Sequence, residues 1–426
     1  MSKNDLIQVY CFDQEIGLLG YDEINNVSYF QYNPEYLASD KMKNLFPETG
    51  IIKRVSQKQI FKKFNSDTFR SLPPMIADSL PDMFGNIIFK EWLESANKNF
   101  EKITVLEQLA YVANRGMGAL EYRPEKNIPQ GSTIIIGDIV EVLKKVLSIK
   151  KTTASAGLNH ESLLNVFKIG SSAGGARPKI LISEHKETGE IIPGDINYSK
   201  EFNHYLVKLN LDEVPYNREL IEYSYYLSAT HLGIIMSESM MIDGKHFATK
   251  RFDRVDGRKK HVLTTTGLTG WDFSDNKSPA STYENLFSLA AFLKVPHVEM
   301  VELYRRMIFN VVFSNTDDHF KNQSFIYDEE SDSWGIAPAY DLTYSLNPLM
   351  NYTKSFRALS INGKKSEINF EDVKTIAETF TIKGYKGIIK DVESGIEFWL
   401  DKAKKLDIPE KIRLSIAKDF VRLSIK

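Results

Sequence analysis

At roughly 150 residues per domain, a chain of 426 residues has room for two or three domains and a sizeable core. Its 42% hydrophobic, 26% charged and 12% aromatic residues exclude a disordered, collagenous or coiled-coil chain. The 54 basic and 56 acidic side chains leave a formal charge of -2, so no bulk field gathers nucleic acid or an anionic membrane, and any such contact needs a local patch.

Met1 to Gly20 mixes Asp5, Asp13 and Glu15 with its apolar residues and reads as mature protein rather than a secretory leader. From Leu6 to Tyr32 short apolar runs alternate, separated by Gly17, Gly20 and Asn25-Asn26, a spacing that predicts a small sheet of hairpins. The single cysteine, Cys11, sits in the first run and reads as core; it excludes an intrachain disulfide and a Cys-rich zinc site, and fits a reducing cytosol. Pro73-Pro74 and Pro81-Asp82 punctuate the next stretch, with Asp82 a candidate N-cap for a helix through Ile87, Ile88, Trp92 and Leu93. The glycines of Asn114-Arg115-Gly116-Met117-Gly118-Ala119 mark a tight turn. Helical spacing runs from Ile134 to Leu147, where Asp138, Glu141, Lys144 and Lys145 interrupt an apolar stretch too short and too charged to span a membrane.

Strands are expected at Lys179 to Ile182 and His204 to Leu209, a helix over Asn217 to Leu232, and a further strand pair around the hairpin dipeptide Asp243-Gly244. Beyond Val262 the pattern turns helical, with stripes over Tyr283 to Leu293, Val298 to Phe313, Phe370 to Phe380, Ile388 to Lys405 and Lys411 to Leu423. Strands first and helices second imply an α+β chain, a sheet-rich part followed by a helical one.

Two segments carry unusual chemistry. Gly170-Ser171-Ser172-Ala173-Gly174-Gly175-Ala176 is wholly small, immediately before a predicted strand; its backbone N–H groups can cradle phosphates, or it is a plain surface loop. It matches neither the Walker A pattern nor the dinucleotide fingerprint. Asn315-Thr316-Asp317-Asp318-His319-Phe320-Lys321-Asn322 places an acid five residues before an asparagine, the spacing of a kinase catalytic loop; the alternative is a solvated polar turn. Asp318 has no evident partner and is expected in solvent, and His319 fits a structural hydrogen bond equally well. Order supports the kinase option: small-residue loop, strand lysine Lys208, helix acid Glu222, Asp317 with Asn322, then Asp341 inside the apolar run Ala337 to Leu342. The eight histidines show no close pair with metal-ligand spacing, which sets aside a zinc hydrolase.

These motifs, together with Leu80-Pro81-Asp82-Met83-Phe84-Gly85, Asn114 to Leu120, Lys250-Arg251-Phe252-Asp253-Arg254 and Ala339-Tyr340-Asp341, are collinear along nearly the whole chain. In them the chain resembles the HipA-like serine/threonine kinases, toxins of bacterial toxin-antitoxin pairs. The resemblance implies a bilobal protein-kinase-like fold: a HipA-type N-terminal domain over 1–140 that extends the small lobe, a nucleotide-binding small lobe over 141–254, and an all-helical large lobe over 255–426. It implies ATP and magnesium as cofactors. Gly174, Gly175, Ala176, Arg177 and Lys179 would form the phosphate loop, Lys208 would contact phosphate, and Lys250 and Phe252 would flank adenine, although relatives often carry an acid where Lys250 stands. Asp317 would be the catalytic acid/base, Asn322 and Asp341 would hold magnesium, His319 and Lys321 would lie beside the phosphates, and Tyr340 would complete the nucleotide site. Ser172, or Ser171 next to it, would be autophosphorylated.

The implied activity is ATP-dependent phosphorylation of a translation-related protein, with aminoacyl-tRNA synthetases among the family's substrates. The implied partner is a small HipB-like DNA-binding antitoxin, with DNA reached only through that complex, no membrane, and a cytoplasmic setting. A small-molecule or lipid kinase on the same fold, and a pseudokinase serving as a binding subunit for antitoxin and DNA, are the alternatives; the intact Asp317, Asn322 and Asp341 oppose the second.

Overall fold

The computed structural model describes residues 6–423 apart from 82, 96–97, 127–134, 150–176, 195–198, 212–213 and 276. The chain divides into two compact units, one of residues 1–211 and 248–262, the other of 212–247 and 263–426. Its architecture is mixed α/β with antiparallel sheets.

In the first unit β1 (Leu6–Cys11), β2 (Gln14–Asp22), β3 (Val27–Tyr32), β4 (Gln59–Phe61) and β5 (Leu120–Arg123) form an antiparallel sheet in the order β4-β3-β2-β1-β5. Alternation along β1 buries Ile7, Val9 and Cys11 on one face. The hairpins turn elsewhere than the glycines suggest. Phe12 and Asp13, both at positive φ, make the two-residue turn between β1 and β2, while Gly17 and Gly20 lie inside β2. Gly17 is there for close approach, since a Cβ would stand 2.4 Å from the Gln31 carbonyl oxygen. Against the sheet packs a helix over Val105–Val112, buried along its whole length and opened by a capping box in which Thr104 and Glu107 satisfy each other's backbone N–H. The helix over Met83–Ser95 adds Phe89 and Trp92, whose rings meet Tyr111 at 5.0 and 5.6 Å; Asp82, its expected cap, lies outside the described residues.

The same unit holds a second antiparallel ladder, β7-β6-β8, of β6 (Lys179–His185), β7 (Ile191–Pro193) and β8 (Phe202–Lys208). Its register pairs Lys179 with Lys208 at one end and Ile180 with Val207 beside them.

A buried charge cluster ties the N-terminal sheet to residues far along the chain. Asp253 receives two bonds of 2.8 Å from Arg251 and one of 2.9 Å from Arg254, and accepts the Gly118 N–H at 2.9 Å. Arg254 also donates to the carbonyls of Gly116 and Gly118, and Lys259 to Glu121 and the Asn114 carbonyl. Gly118 has φ +75°, and a Cβ there would stand 2.9 Å from the Val262 carbonyl oxygen, so only glycine fits. The turn motif at 114–119 and the motif at 250–254 are two halves of one anchor.

The second unit is mainly helical. Helices over Arg218–His231, His297–Val312 and Tyr385–Lys405 share a core in which Tyr225 meets Phe309, Phe313 and Trp399, the Tyr225 hydroxyl donates to the Phe313 carbonyl, and the Trp399 indole donates to Ser224. Helices over Tyr283–Phe292 and Phe370–Thr379 complete it close to the expected bounds, while the last, Glu410–Lys418, stops five residues short of the expected Leu423. Asp243 and Gly244, both at positive φ, form the hairpin turn between strands Ser239–Ile242 and His246–Lys250. The all-helical expectation for 255–426 needs correction. Ser324–Asp328 and Ser333–Ile336 pair as an antiparallel hairpin whose alternation buries Phe325, Tyr327 and Trp334. Alternation so short is hidden between longer helical stripes. Among the described residues no helix is long and apolar enough to cross a membrane.

The anchor predicts how stability responds to substitution and pH. Burial alone would raise the Asp253 carboxyl, but Arg251, Arg254 and the Gly118 N–H outweigh it and hold it well below the carboxylate range. Its stabilisation is therefore complete above the ordinary aspartate pKa and lost only in stronger acid. Asp253→Asn leaves two guanidinium groups buried without their carboxylate and should cost about 3–5 kcal/mol in urea unfolding. Histidines act at milder pH. Burial lowers His261 to about 3, and burial with the charges of Arg251 and Arg254 lowers His204 to about 4, so both stay neutral when folded but take up a proton when unfolded. Stability should be complete above about pH 6.5 and decline from there toward pH 4. Urea midpoints measured across that range test this, and His261→Phe should flatten the slope.

Candidate active site

The second unit contributes one compact constellation. The helix His297–Val312 ends at Phe313, and the chain turns through Ser314, at φ +53°, into Asn315 to Asn322. This turn is not a solvated loop. Asn322 closes it, its side-chain amide donating 2.8 Å to the Asp317 carbonyl, and residues Phe320–Asn322 form a single 3-10 turn. The spacing of five residues is thus the spacing at which the carboxamide can reach back to the acid's own backbone.

Within the loop, adjacent acids have opposite fates. The Asp317 side chain is 65% exposed, with its carboxylate 3.6 Å from His319 Nε2. Asp318, expected in solvent, is instead buried. Its Oδ2 accepts from Tyr283 at 2.8 Å and from Arg357 Nε and Nη2 at 3.1 and 2.9 Å, and its Oδ1 from the N–H groups of Ala358 and Leu359 at 3.1 and 3.3 Å. The partners come from 35 to 41 residues away in sequence, which is why the sequence conceals them. Burial and the Asp318 carboxylate push the Tyr283 hydroxyl far up, so it remains a donor.

His319 packs its ring 5.0 Å from Phe273, whose other neighbour is the Lys321 ammonium at 5.7 Å. The His319 Nδ1 is buried with no hydrogen-bond partner among the described residues, and its Nε2, 3.6 Å from the Asp317 carboxylate, stands beyond hydrogen-bond distance. Tyr340 joins the same group: its hydroxyl donates 2.7 Å to the Lys321 carbonyl and pairs with the Ser324 hydroxyl.

Asp341 comes next at φ +55°, a conformation unusual for a non-glycine residue. The Asn315 amide donates to its carbonyl at 3.3 Å, and upstream the buried Arg306 donates to the Ala337 carbonyl while Ala339 bridges Met236. Thr316 is fastened to the residues after Asp341, because its N–H and hydroxyl both meet Ser345 Oγ, at 2.9 and 2.8 Å. The structure therefore brings Asp317, His319, Lys321, Asn322, Tyr340 and Asp341 into one fastened set of loops.

In the first unit, Lys179 and Lys208 are both buried and directly opposed across β6 and β8, which places two cationic side chains at the same end of the ladder, with half-buried Arg177 two residues before. The backbone N–H of Arg251 donates to the His204 carbonyl at 2.8 Å, fixing the path of Lys250 and Phe252, and the Arg251–Asp253 pair follows at once. Ser171, Ser172, Gly174, Gly175 and Ala176 lie outside the described residues. Glu222 is buried on the helix Arg218–His231.

Sequence reasoning misses Arg357 and Tyr283, which bind Asp318, and Asn310, which binds the Tyr283 hydroxyl. Tyr283 reads as an ordinary apolar helix position and Arg357 as one cation in a polar stretch, so neither sends a signal. The relation between Gly116–Gly118 and Arg251–Arg254 is equally silent, although both segments stand out individually.

Comparison with known proteins adds the context. A family model described as the HipA-like C-terminal domain matches residues 171–399, and one described as the HipA N-terminal domain matches residues 7–123. HipA of Shewanella oneidensis MR-1, solved with HipB and its operator DNA, has a similar structure with a TM-score of 0.65 at 15% identity, covering 97% of this chain and 94% of that one. At that identity the likeness shows the fold. The Helicobacter pylori proinflammatory kinase CtkA gives a TM-score of 0.38 at 16% identity over 51% of this chain and 85% of that one, too low to carry an argument. A Sinorhizobium fredii protein named "Putative kinase Y4dM" is 30% identical over 101 residues, 24% of each chain, so the matched stretch spans about a quarter of that curated relative.

Proposed function

The chain belongs to the HipA family, and on that premise we propose that it is an ATP-dependent serine/threonine protein kinase, a growth-inhibiting toxin restrained by a small HipB-like DNA-binding antitoxin. The observation that carries the reading is the loop itself: an exposed carboxylate on Asp317 whose backbone is gripped by the Asn322 amide. Exposure suits a group that must meet an incoming hydroxyl, and the grip suits one that must do so in fixed geometry.

Among the described residues there is no cluster of three or more His, Cys, Asp or Glu side chains able to hold a metal ion. That is compatible with magnesium, which binds through one or two protein oxygens and completes its shell with water and substrate phosphates. The Asp341 carboxylate and the Asn322 side-chain carbonyl are hard oxygen donors of that kind, and with the Asn322 amide nitrogen engaged by Asp317 the carbonyl oxygen is the part left for a cation. When bound, magnesium would neutralise charge on the triphosphate.

In this reading Asp317 orients the acceptor hydroxyl and accepts its proton. Lys208, Lys179 and Arg177, with the backbone of Gly174 to Ala176, bind phosphate; His319 and Lys321 bind it from the catalytic loop. Lys250, Phe252 and Tyr340 hold the nucleoside. Phosphoryl transfer of this type rests on positioning and charge, and no covalent enzyme intermediate is required. The DNA contact is assigned to the antitoxin complex, as the Shewanella relative was solved with HipB and operator DNA. The acceptor is assigned to the translation machinery, with an aminoacyl-tRNA synthetase as the first candidate.

Asp317→Asn should abolish transfer while leaving ATP affinity within about threefold, because the carboxylate addresses the acceptor. Asp341→Asn should instead remove the magnesium dependence of nucleotide binding, since it loses the charged metal donor. Single-turnover assays on protein and metabolite acceptors, with calorimetry in the presence and absence of magnesium, separate the two; transfer retained by Asp317→Asn refutes the assignment.

Ser172, or Ser171, should acquire phosphate from the enzyme itself, and the modified loop should no longer hold ATP. A phosphate adds about 1.5–2 negative charges and competes for the N–H groups that would cradle the nucleotide. Mass spectrometry after incubation with Mg-ATP, beside Ser171→Ala and Ser172→Ala proteins, identifies the site. A modified fraction that keeps full ATP affinity contradicts the self-inactivation.

A further inference from the structure

Next to the exposed Asp317 stands the most heavily bonded carboxylate of the second unit that the described residues show, and the proposed reaction gives it no task. Asp318 accepts five hydrogen bonds, two of them from Arg357 Nε and Nη2, which converge on the single oxygen Oδ2. With Arg357 and Tyr283 on Oδ2 and two backbone N–H groups on Oδ1, both oxygens are held, which fixes the direction of the carboxylate as well as its distance. Its partners are themselves held. Asn310 donates 3.0 Å to the Tyr283 hydroxyl and accepts 2.9 Å from Asn315, while Arg357 Nη2 also reaches the Asn315 carbonyl at 3.3 Å. The Ala358 N–H is shared between Asp318 Oδ1 and the Thr316 carbonyl, at 3.1 and 2.9 Å. Residues 315, 316 and 318 are thus all bound to the segment 357–359, and the residue left projecting between them is Asp317.

We infer that Asp318 and Arg357 are positioning residues for Asp317, and that the segment 357–359 sets the efficiency of transfer through this ion pair. The inference rests on the reading of Asp317 as the group that faces the acceptor. An ion pair this deeply buried is a costly way to stabilise a fold, since well-packed apolar residues often serve as well. What it supplies is a fixed direction for the backbone two bonds from the reacting carboxylate. Misplacing a catalytic group by about 1 Å costs on the order of 100-fold in rate.

The test uses the full chain with Mg-ATP and dephosphorylated casein as acceptor. Arg357→Gln should lower kcat about 10- to 100-fold with the KM for ATP within about threefold, and amide hydrogen exchange should rise at 315–318. Arg357→Lys, which keeps the charge but not the fork, should recover part of the loss. Tyr283→Phe removes one of the five bonds with little change of volume, should reduce kcat by a smaller factor, and keeps the test decisive if Arg357→Gln does not fold. Lys354→Ala, an exposed neighbour bonded to Glu367 outside the network, serves as control and should match the parent.

Parent-like kcat in Tyr283→Phe and in folded Arg357 variants overturns the inference, as does a loss of ATP affinity in step with kcat, which marks a general structural role. Both of those outcomes leave the kinase reading standing. A parent chain that phosphorylates neither casein nor itself removes the reading and the inference together.

Discussion

One buried carboxylate holds the first unit in register with itself. Asp253 lies 135 residues beyond Gly118, and between them the chain passes through a complete second ladder and leaves for the other unit before returning. Loop closure over such lengths costs conformational entropy that must be recovered locally. The recovery is concentrated: two guanidinium groups, a backbone N–H and three carbonyl oxygens converge on a few residues. Because Asp253 and both guanidinium groups are buried, removing the carboxylate leaves two buried cations without their shared partner, which makes Asp253 the centre on which the cluster depends. Its geometric requirement is strict at Gly118, where both the positive φ and the nearness of Val262 exclude a side chain.

The second unit uses the same chemistry at a different place. Asp318 is compensated by Arg357, Tyr283 and two backbone N–H groups, much as Asp253 is by Arg251, Arg254 and Gly118. The difference lies in the neighbour. Arg251 and Arg254 hold the path of a strand end, whereas Asp318 holds a loop whose adjacent residue keeps its carboxylate in water. Two acids in sequence, one buried and one exposed, divide the labour between placing a group and leaving it available.

The elements most legible in the sequence are those fixed by local chemistry. Asp243-Gly244 turns a hairpin because both residues accept positive φ, and the helices Tyr283–Phe292 and His297–Val312 end within a residue of where their periodicity ends. Gly17 and Gly20 mislead because glycine serves close approach as well as turning, and only the neighbouring strand reveals which is meant. The hairpin of Ser324–Asp328 and Ser333–Ile336 is short, and the alternation that buries Phe325, Tyr327 and Trp334 covers too few residues to stand out among the longer helical stripes. At the site, the acid and the asparagine at plus five are visible because their link is local. Asp318 is misread because its compensation comes from Tyr283 and Arg357, and long-range compensation of a charge leaves no periodicity behind.

Backbone strain at Asp341 obeys the same logic. A non-glycine residue at φ +55° costs about 1–3 kcal/mol, and glycine would adopt the conformation freely. The position nevertheless carries a carboxylate, and the surroundings over-determine it: Asn315 binds its carbonyl, Arg306 binds Ala337, Ala339 bridges Met236, and Ser345 binds Thr316. Arg306 is in turn held by Glu302, which also accepts the Ile235 N–H. Fastening from the helix His297–Val312 on one side and from the Asp317 loop on the other keeps the strained residue in place when nothing is bound. In the proposed reading, that fastening places the Asp341 carboxylate before the cation arrives, so the cost of ordering it is met in folding and not in each catalytic cycle.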